Sequence, residues 1–283
     1  MRATIDWSYD LLDSEEQRAY RALSVFAGGC TLDAALPVAG ADLETLQSLL
    51  DKSLLGRLDG VAEPRYGMLE TIREHAGGEL ARQNEDEPAR DRHATWVLAF
   101  ARETAPRWGD PAPIVRLERR ASEAANIRVA LARAIERRDA STALELVGLI
   151  GRVWMESGMS IELLARSREA LALGGADPGV EGMALLSFGW SGEHTEDGRR
   201  GIVAAAERFR HAGMPREAAY ATMSRGMQAG NSGSIDEACE LLKQALVEFE
   251  RLGDSYLVHL TRSTSTPSRA RGGHSTPRPP DGS

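Results

Sequence analysis

The most regular stretch of the chain is Ile235-Asp236-Glu237-Ala238-Cys239-Glu240-Leu241-Leu242-Lys243-Gln244-Ala245-Leu246. Its apolar residues recur at the three- and four-residue spacing of an amphipathic helix. Two small residues, Ala238 and Ala245, lie seven positions apart on one face and would let a neighbouring helix approach closely. The stretch therefore predicts a helix that packs against other helices.

Similar helix ends recur upstream of this stretch. Gly174, Gly213 and Gly253 each follow such an end and are 39 and 40 residues apart. This period is near that of helical-hairpin solenoids and slightly longer than the roughly 34 residues of a tetratricopeptide repeat. Because the pattern is helical from Glu87 to Leu260, we predict a helical linker followed by an α-α superhelical, tetratricopeptide-like array over residues 86–260.

The first 82 residues predict short helices followed by a β-hairpin. Ser14 to Gln17 fits a capping box that opens a helix ended by Gly28-Gly29, and Thr31 and Asp42 are predicted N-caps of the next two helices. Pro37 should shorten or kink the second of them. The expected strands are residues 54–58 and 65–69, and a closing helix is expected over residues 70–82. Three helices and a hairpin wing in this order predict a winged helix over residues 1–82.

The apolar spacing also predicts which residues form the core. Within the winged helix, the expected core contains Trp7, Leu11, Leu23, Phe26, Leu46 and Leu50. We interpret the aromatic residues as core anchors rather than as walls of a ligand site: Trp7, Tyr9, Trp96, Trp108 and Trp154.

Composition and charge exclude several classes of protein. The chain has 283 residues, 42% of them hydrophobic, and a net charge of −8, which argue against wholesale disorder and against a surface made entirely for nucleic acid. Residues 1–80 carry 7 basic and 14 acidic side chains, and the predicted third helix is acidic too, so DNA contact by this part is disfavoured. The sequence contains no signal peptide and no apolar run long enough to span a bilayer, which predicts a cytoplasmic protein.

No residue pattern predicts catalysis, a cofactor or a metal. Cys30 and Cys239 form no CxxC motif, the six histidines lack ligand spacing, and no phosphate-binding G-x-x-x-x-G-K-[ST] loop occurs. The run from Gly189 to Gly192 with nearby His194 lacks the final glycine of a nucleophile elbow and is interpreted as a loop between repeats. We therefore expect a non-enzymatic protein without a cofactor.

Two stretches have an unusual charge. Residues 107–138 contain eight arginines against four acids, interpreted first as an exposed face with pairs such as Arg119 with Glu123, and alternatively as a docking surface for an acidic partner, perhaps the acidic winged helix itself. From Thr261 to Ser283 no apolar residue is larger than Ala or Pro, so a disordered tail is predicted. A frameshifted or broken gene end is favoured over a natural tail.

Four segments in order resemble one family. They are residues 5–12, 23–29, 50–54 and 65–74, and together they resemble the winged-helix region of bacterial signal-transduction ATPases of the NB-ARC-like (STAND) type, large LuxR-type or SARP-type transcriptional regulators. Residues 117–131 are similar to the family's first helical linker. In this family the ATPase domain precedes the winged helix and tetratricopeptide-like repeats follow it; the ATPase is not in this chain.

The resemblance implies a regulatory and sensor region that acts by protein–protein binding. The expected partner is a protein, or an ATPase domain that relatives carry in the same chain, and the isolated chain should tend to self-associate. The alternative is a winged-helix transcriptional regulator that binds DNA on its own. Basic charge on the third helix would favour the alternative, and that charge is lacking.

Overall fold

The computed structural model describes residues 2–58, 63–106, 109–110, 114–156, 160–192 and 195–265. These residues form fifteen α-helices and two short strands, so the predicted mainly α, helical repeat architecture is confirmed.

The N-terminal unit comprises five helices and a hairpin. Their bounds are α1 Arg2–Asp10, α2 Ser14–Leu23, α3 Leu32–Ala39, α4 Leu43–Asp51, β1 Gly56–Leu58, β2 Arg65–Gly67 and α5 Glu70–Arg82. The strands pair antiparallel with Arg57 opposite Tyr66, and Cys30 forms a further bridge to Tyr66. Residues 59–62, between the two strands, lie outside the described residues. The closing helix has the predicted bounds, and both strands are shorter than predicted.

The predicted N-cap is confirmed for α4, and the predicted capping box is wrong for α2. Asp42 caps α4, and its carboxylate accepts from the Thr45 backbone N–H at 2.9 Å. The capping box of α2, however, is formed by Asp13 and Glu16, not by Ser14 and Gln17. Asp13 is the better acceptor because its carboxylate carries a full charge beside the helix N-terminus. Thr31 occupies the N-cap position of α3 without a side-chain hydrogen bond to the helix.

Helix α2 ends earlier than predicted, and helix α3 continues past Pro37. Helix α2 ends at Leu23, five residues before Gly28, so Phe26 enters the core from the segment after the helix. Helix α3 contains Pro37 and ends two residues later, where Gly40 adopts a left-handed conformation with φ 68°. A residue with a Cβ is disfavoured in this conformation, which explains the stop.

The core of the N-terminal unit contains four of the six predicted residues. Leu23, Phe26 and Leu46 are buried, and Leu50 is half-buried against them. The prediction is wrong for Trp7 of α1 and for Leu11 directly after this helix, which are 64% and 57% exposed.

The orientation of α1 explains this difference. A hydrogen bond of 2.9 Å joins Asp6 Oδ1 to His75 Nε2 on α5, and the Tyr9 ring lies 5.4 Å from that of Tyr20. Ile5 and Tyr9 thereby face the core, and Trp7 lies on another side of the helix. Of the remaining predicted anchors, Trp96 is half-buried, and the side chains of Trp108 and Trp154 lie outside the description.

The helical array follows the N-terminal unit. It consists of α6 Asp86–Thr104, α7 Ile114–Ser122, α8 Ala124–Glu136, α9 Ala140–Glu156, α10 Ser160–Leu171, α11 Pro178–Ser191, α12 Glu196–His211, α13 Pro215–Asn231, α14 Ile235–Leu252 and α15 Ser255–Ser265. Consecutive helices from α11 to α15 pack against each other, and α9 also packs on α11. The repeating unit is a pair of helices.

The three repeat glycines occupy equivalent places. Gly174, Gly213 and Gly253 follow α10, α12 and α14, and their φ angles are 62°, 67° and 70°. The 39- and 40-residue spacing therefore marks the end of every second helix. Close packing also depends on glycine: a Cβ on Gly189 would lie 2.3 Å from Ile202 Cγ1 of the adjacent helix.

The predicted start of the tail, at Thr261, is five residues too early. Helix α15 continues to Ser265, and Thr261 is buried, with its hydroxyl 2.7 Å from the Leu257 carbonyl oxygen. A threonine can satisfy its hydroxyl within its own helix in this way, so the polar composition did not end the helix. Residues 266–283 of the predicted tail lie outside the described residues.

Candidate functional site

The exposed face of α4 is acidic, as the sequence predicts. Asp42, Glu44 and Asp51 are exposed on or beside it, and Lys52 at its end donates to Glu16 Oε1 at 2.5 Å. Burial raises the pKa of Glu16, but hydrogen bonds from Lys52 and Ser48 outweigh that effect, so the pKa lies below its ordinary value. The positive charge of this helix end is therefore engaged within the protein, which leaves α4 poorly suited to neutralise phosphates.

An apolar patch, formed by Trp7 of α1 and by Leu11 directly after this helix, is exposed to solvent. Both side chains are exposed over more than half of their surface. Aromatic residues are enriched at protein interfaces, where a fully buried tryptophan often contributes strongly to affinity. This α1 patch is one candidate contact surface.

The N-terminal unit and the helical array meet at a buried polar junction. Arg65 of β2 forms an ion pair with Glu123, at the start of α8, and the two side chains are only 3% and 2% exposed. Arg65 Nη2 also donates to the carbonyl oxygens of Gly28 and Gly29, both at 3.0 Å. Burying a charge pair is costly unless such additional hydrogen bonds satisfy it. We define the junction as Arg65, Glu123, Asn126, His93 and the backbone of residues 27–29.

Asn126 completes the junction from α8. Its Nδ2 donates to Glu123 Oε2 at 2.6 Å and to the Gly29 carbonyl oxygen at 2.9 Å, and its Oδ1 accepts from the Ala27 backbone N–H at 3.0 Å. His93 Nε2 lies 3.4 Å from the same Oδ1. Burial lowers the pKa of His93 from 6.5 to about 4, so the imidazole is neutral near pH 7. Loop 27–29, β2 and α8 are thus held together by groups that are nearly inaccessible to water.

The arginine-rich stretch contributes to the same contact. Arg119 lies 3.3 Å from Glu63 and 3.8 Å from Asp33, both in the N-terminal unit. The predicted pair of Arg119 with Glu123 is wrong, because Glu123 instead pairs with Arg65. Of the two interpretations of this stretch, docking onto the acidic N-terminal unit fits Arg119. Arg137 is exposed, as the exposed-face interpretation predicts, whereas the Arg133 side chain is only 11% exposed, and both pair with Glu87 and Asp91 on α6 rather than within their own helix.

Sequence reasoning did not single out Arg65 or Glu123 as a pair. They are 58 positions apart, and neither belongs to a motif for a buried charge. The one available signal was an arginine directly before an aromatic residue in a short predicted strand. Such a residue would normally be placed on the exposed side of a hairpin.

The residues weighed as a nucleophile elbow have another role. Gly189 and Ser191 belong to α11, and Ser191 Oγ donates to the carbonyl oxygens of Ser187 and Phe188, both at 3.0 Å. A helix interior lacks the strand-to-helix turn of the elbow. Residues 189–191 are therefore the end of a helix rather than part of the predicted loop, Gly192 is the C-cap, and His194 lies outside the described residues. Within the described ranges, no three His, Cys, Asp or Glu residues are grouped as a metal site would require.

The chain is similar in sequence to bacterial proteins that are named as regulators. No family model matches it. It is 36% identical over 162 residues to a protein of Mycobacterium tuberculosis and to one of Mycobacterium bovis, each provisionally named an HTH-type transcriptional regulator. The aligned region covers 54% of this chain and only 18% of each relative.

One solved structure is also similar. It is a signal transduction ATPase with numerous domains (STAND) with a tetratricopeptide repeat sensor, from Pyrococcus horikoshii. The match covers 91% of this chain and 47% of that one, with a TM-score of 0.36 and 14% identity, values too low to support an argument about this chain. Among the described helices, none is both long and apolar enough to cross a membrane.

Proposed function

We propose that this chain is a non-catalytic regulatory region of a STAND-type transcriptional regulator and acts by binding other protein surfaces. In this proposal the N-terminal unit is a winged helix that packs against an ATPase domain, and the helical array is the sensor surface. The observation that carries the proposal is the exposed α1 patch of Trp7 and Leu11, because two large apolar side chains exposed beside a formed core are suited to a further protein contact.

The junction supports a transmitting role. It joins β2 and loop 27–29 to α8 through buried charged and amide groups, so displacement of the first helices of the array would disturb the N-terminal unit directly. The names of the mycobacterial relatives agree with a role in transcriptional regulation. The four-segment resemblance supports the ATPase domain as the partner.

The second candidate is a winged-helix regulator that binds DNA by itself. The helix-turn-helix designation of the relatives favours it. The exposed acids Asp42, Glu44 and Asp51 on and beside α4 oppose it, since a duplex-binding helix needs cations for the phosphates.

One experiment compares the two candidates. The full chain is titrated at physiological salt into an ATPase domain of a STAND-type protein. In a separate titration it is added to a 30-base-pair duplex (about three helical turns). We expect the ATPase domain to bind more tightly. A duplex affinity tighter than ~10⁻⁶ M, together with no binding of the ATPase domain, would establish the DNA-binding candidate instead.

The α1 patch is tested by substitution in the same assay. Trp7→Ala should weaken binding of the ATPase domain at least about tenfold, because interface tryptophans often contribute roughly 2 kcal/mol or more. Ile161→Ala is the matched control, since Ile161 is an even more exposed apolar residue, on α10 of the array. Equal effects of the two substitutions would remove the α1 patch from the interface.

A further inference from the structure

A groove lies between α12 and α13 of the helical array, and the start of α14 closes one end. Its volume is about 700 Å³. Val203, Ala204 and Ala229 are among the residues that line it, and their small side chains leave room for an extended chain. The groove is on a different part of the molecule from the α1 patch and the junction.

Gln228 supplies a buried acceptor in this groove. The residue is 3% exposed, and its Nε2 donates to the Gly189 carbonyl oxygen at 3.1 Å. Its Oε1 is also buried and has no hydrogen-bond donor among the described residues. Leaving a buried carbonyl oxygen without a donor is unfavourable, so an N–H from a bound molecule would be stabilised there.

The charged side chains of the groove are paired with one exception. Glu196 pairs with Arg199 at 2.9 Å and with Arg200 at 3.1 Å, and Glu237 pairs with Arg225 at 2.5 Å. Glu207 also lines the groove and forms no ion pair within the part of the chain that the structure describes. Two acceptors among the lining residues thus have no donor within the described residues: the buried Oε1 of Gln228 and the exposed carboxylate of Glu207.

We propose that this groove binds an extended peptide segment of a partner protein that carries a lysine or arginine. The basic side chain would pair with Glu207, and a backbone N–H of the peptide would donate to Gln228 Oε1. A peptide fits because a single chain supplies both a cation and a backbone donor. The inference rests on the proposed protein-binding role of the array and names the chemistry of one partner.

The test uses the full chain, labelled with ¹⁵N, and two capped heptapeptides made of alanine and serine. One peptide has a central arginine and the other a central glutamate. Backbone amide shifts of Ala204, Ala229 and Ser232, which lie in the groove, report binding in an NMR titration. At low salt the arginine peptide should bind about fivefold more tightly than the glutamate peptide, the effect of an exposed ion pair of about 1 kcal/mol.

Two substitutions separate the two contacts. Glu207→Gln should abolish the preference for arginine, whereas Glu136→Gln, at an exposed glutamate of α8, should leave it unchanged. Gln228→Met should weaken both peptides equally, because the backbone donor is common to them. Glu207 is exposed, so its variant should keep the circular dichroism spectrum and the melting temperature of the unaltered chain.

Three results would overturn the proposal. They are equal binding of the two peptides, shifts located outside the groove, and binding of acetyl-arginine methylamide as tight as that of the arginine peptide, which would indicate a small cationic ligand. If the chain binds the ATPase domain but neither peptide, only the proposal for the groove is contradicted. If the chain prefers the arginine peptide but does not bind the ATPase domain, the proposed function is contradicted instead.

Discussion

The junction and the groove both contain arginine–glutamate pairs, but they differ in how far water is removed from them. At the junction, Arg65 and Glu123 are 3% and 2% exposed, whereas Arg225 and Glu237 of the groove are 42% and 47% exposed. Removing two charges from water costs several kcal/mol, and further hydrogen bonds must offset that cost. The junction has such bonds to backbone carbonyls and to Asn126.

This difference separates a structural contact from an adaptable one. A buried pair with every group satisfied has one favourable geometry, because any displacement leaves a charge unpaired in a region without water. An exposed pair can exchange a protein partner for water at little cost. We therefore expect the junction to hold the N-terminal unit rigidly to α8, and the groove to change its ion pairs when a partner binds.

The largest expected effect comes from breaking the buried pair. Glu123→Ala leaves the Arg65 guanidinium buried without its carboxylate, and should lower the free energy of unfolding by about 3–5 kcal/mol. Glu237→Ala, at the exposed pair, should lower it by less than about 1 kcal/mol. Urea denaturation of both variants at neutral pH measures the contrast. Similar losses in the two variants would show that burial does not distinguish the regions.

A second effect contrasts the apolar core with the α1 patch. Leu46 is fully buried, so Leu46→Ala should cost about 2–5 kcal/mol of unfolding free energy through lost contacts and the cavity left behind. Trp7→Ala should change stability by no more than about 0.5 kcal/mol, because Trp7 is 64% exposed. Thermal unfolding followed by circular dichroism provides the measurement. A large loss for Trp7→Ala would mean that α1 packs through that residue in solution.

The third expected effect is the pH dependence of the junction. The pKa of His93 is about 4 in the folded protein, below its ordinary value of 6.5, because burial disfavours the charged form. The unfolded chain therefore takes up the proton first as the pH falls. The contribution to stability is complete above pH 6.5 and is lost progressively down to about pH 4, by about 3 kcal/mol at most.

Substitution of this histidine isolates its contribution. His93→Gln should flatten the dependence of unfolding free energy on pH between 7 and 4 (about the interval between the two pKa values). His211→Gln, at an exposed position on α12, should retain the dependence. Measurement of urea midpoints across that interval decides the point, and an unchanged slope in His93→Gln would assign the effect to carboxylates elsewhere.

Much of the secondary structure was predictable because its causes are local. The cap at Asp42 requires a side-chain oxygen three residues before the N–H that it accepts, and the stops at Gly213 and Gly253 require a left-handed residue. The prediction of Ser14 as the cap of α2 is wrong because the neighbouring residue Asp13 fits the same local pattern. Only the folded geometry distinguishes the two residues, because in it the Asp13 carboxylate accepts from the backbone N–H groups of Glu15 and Glu16.

The candidate functional surfaces were far less predictable. Exposure of Trp7 depends on which side of α1 meets α5, and the Asp6–His75 contact that fixes it joins residues 69 positions apart. The buried acceptor of Gln228 depends on the placement of α13 beside Gly189 of α11, 39 positions away. Neither position differs in type from many exposed residues of the same helices, so no local rule distinguishes it.

By itself, the sequence determined a mainly α chain, the paired-helix period of about 40 residues, the antiparallel hairpin and the acidic character of α4. These properties follow from residue types at fixed short spacings and from a sum of charges. Only the tertiary structure decided that Arg65 pairs with Glu123, that Trp7 and Leu11 face solvent, and that Glu207 and Gln228 line one groove. The physical reason is that burial and pairing depend on which helix faces meet, and the chain brings those faces together from positions tens of residues apart.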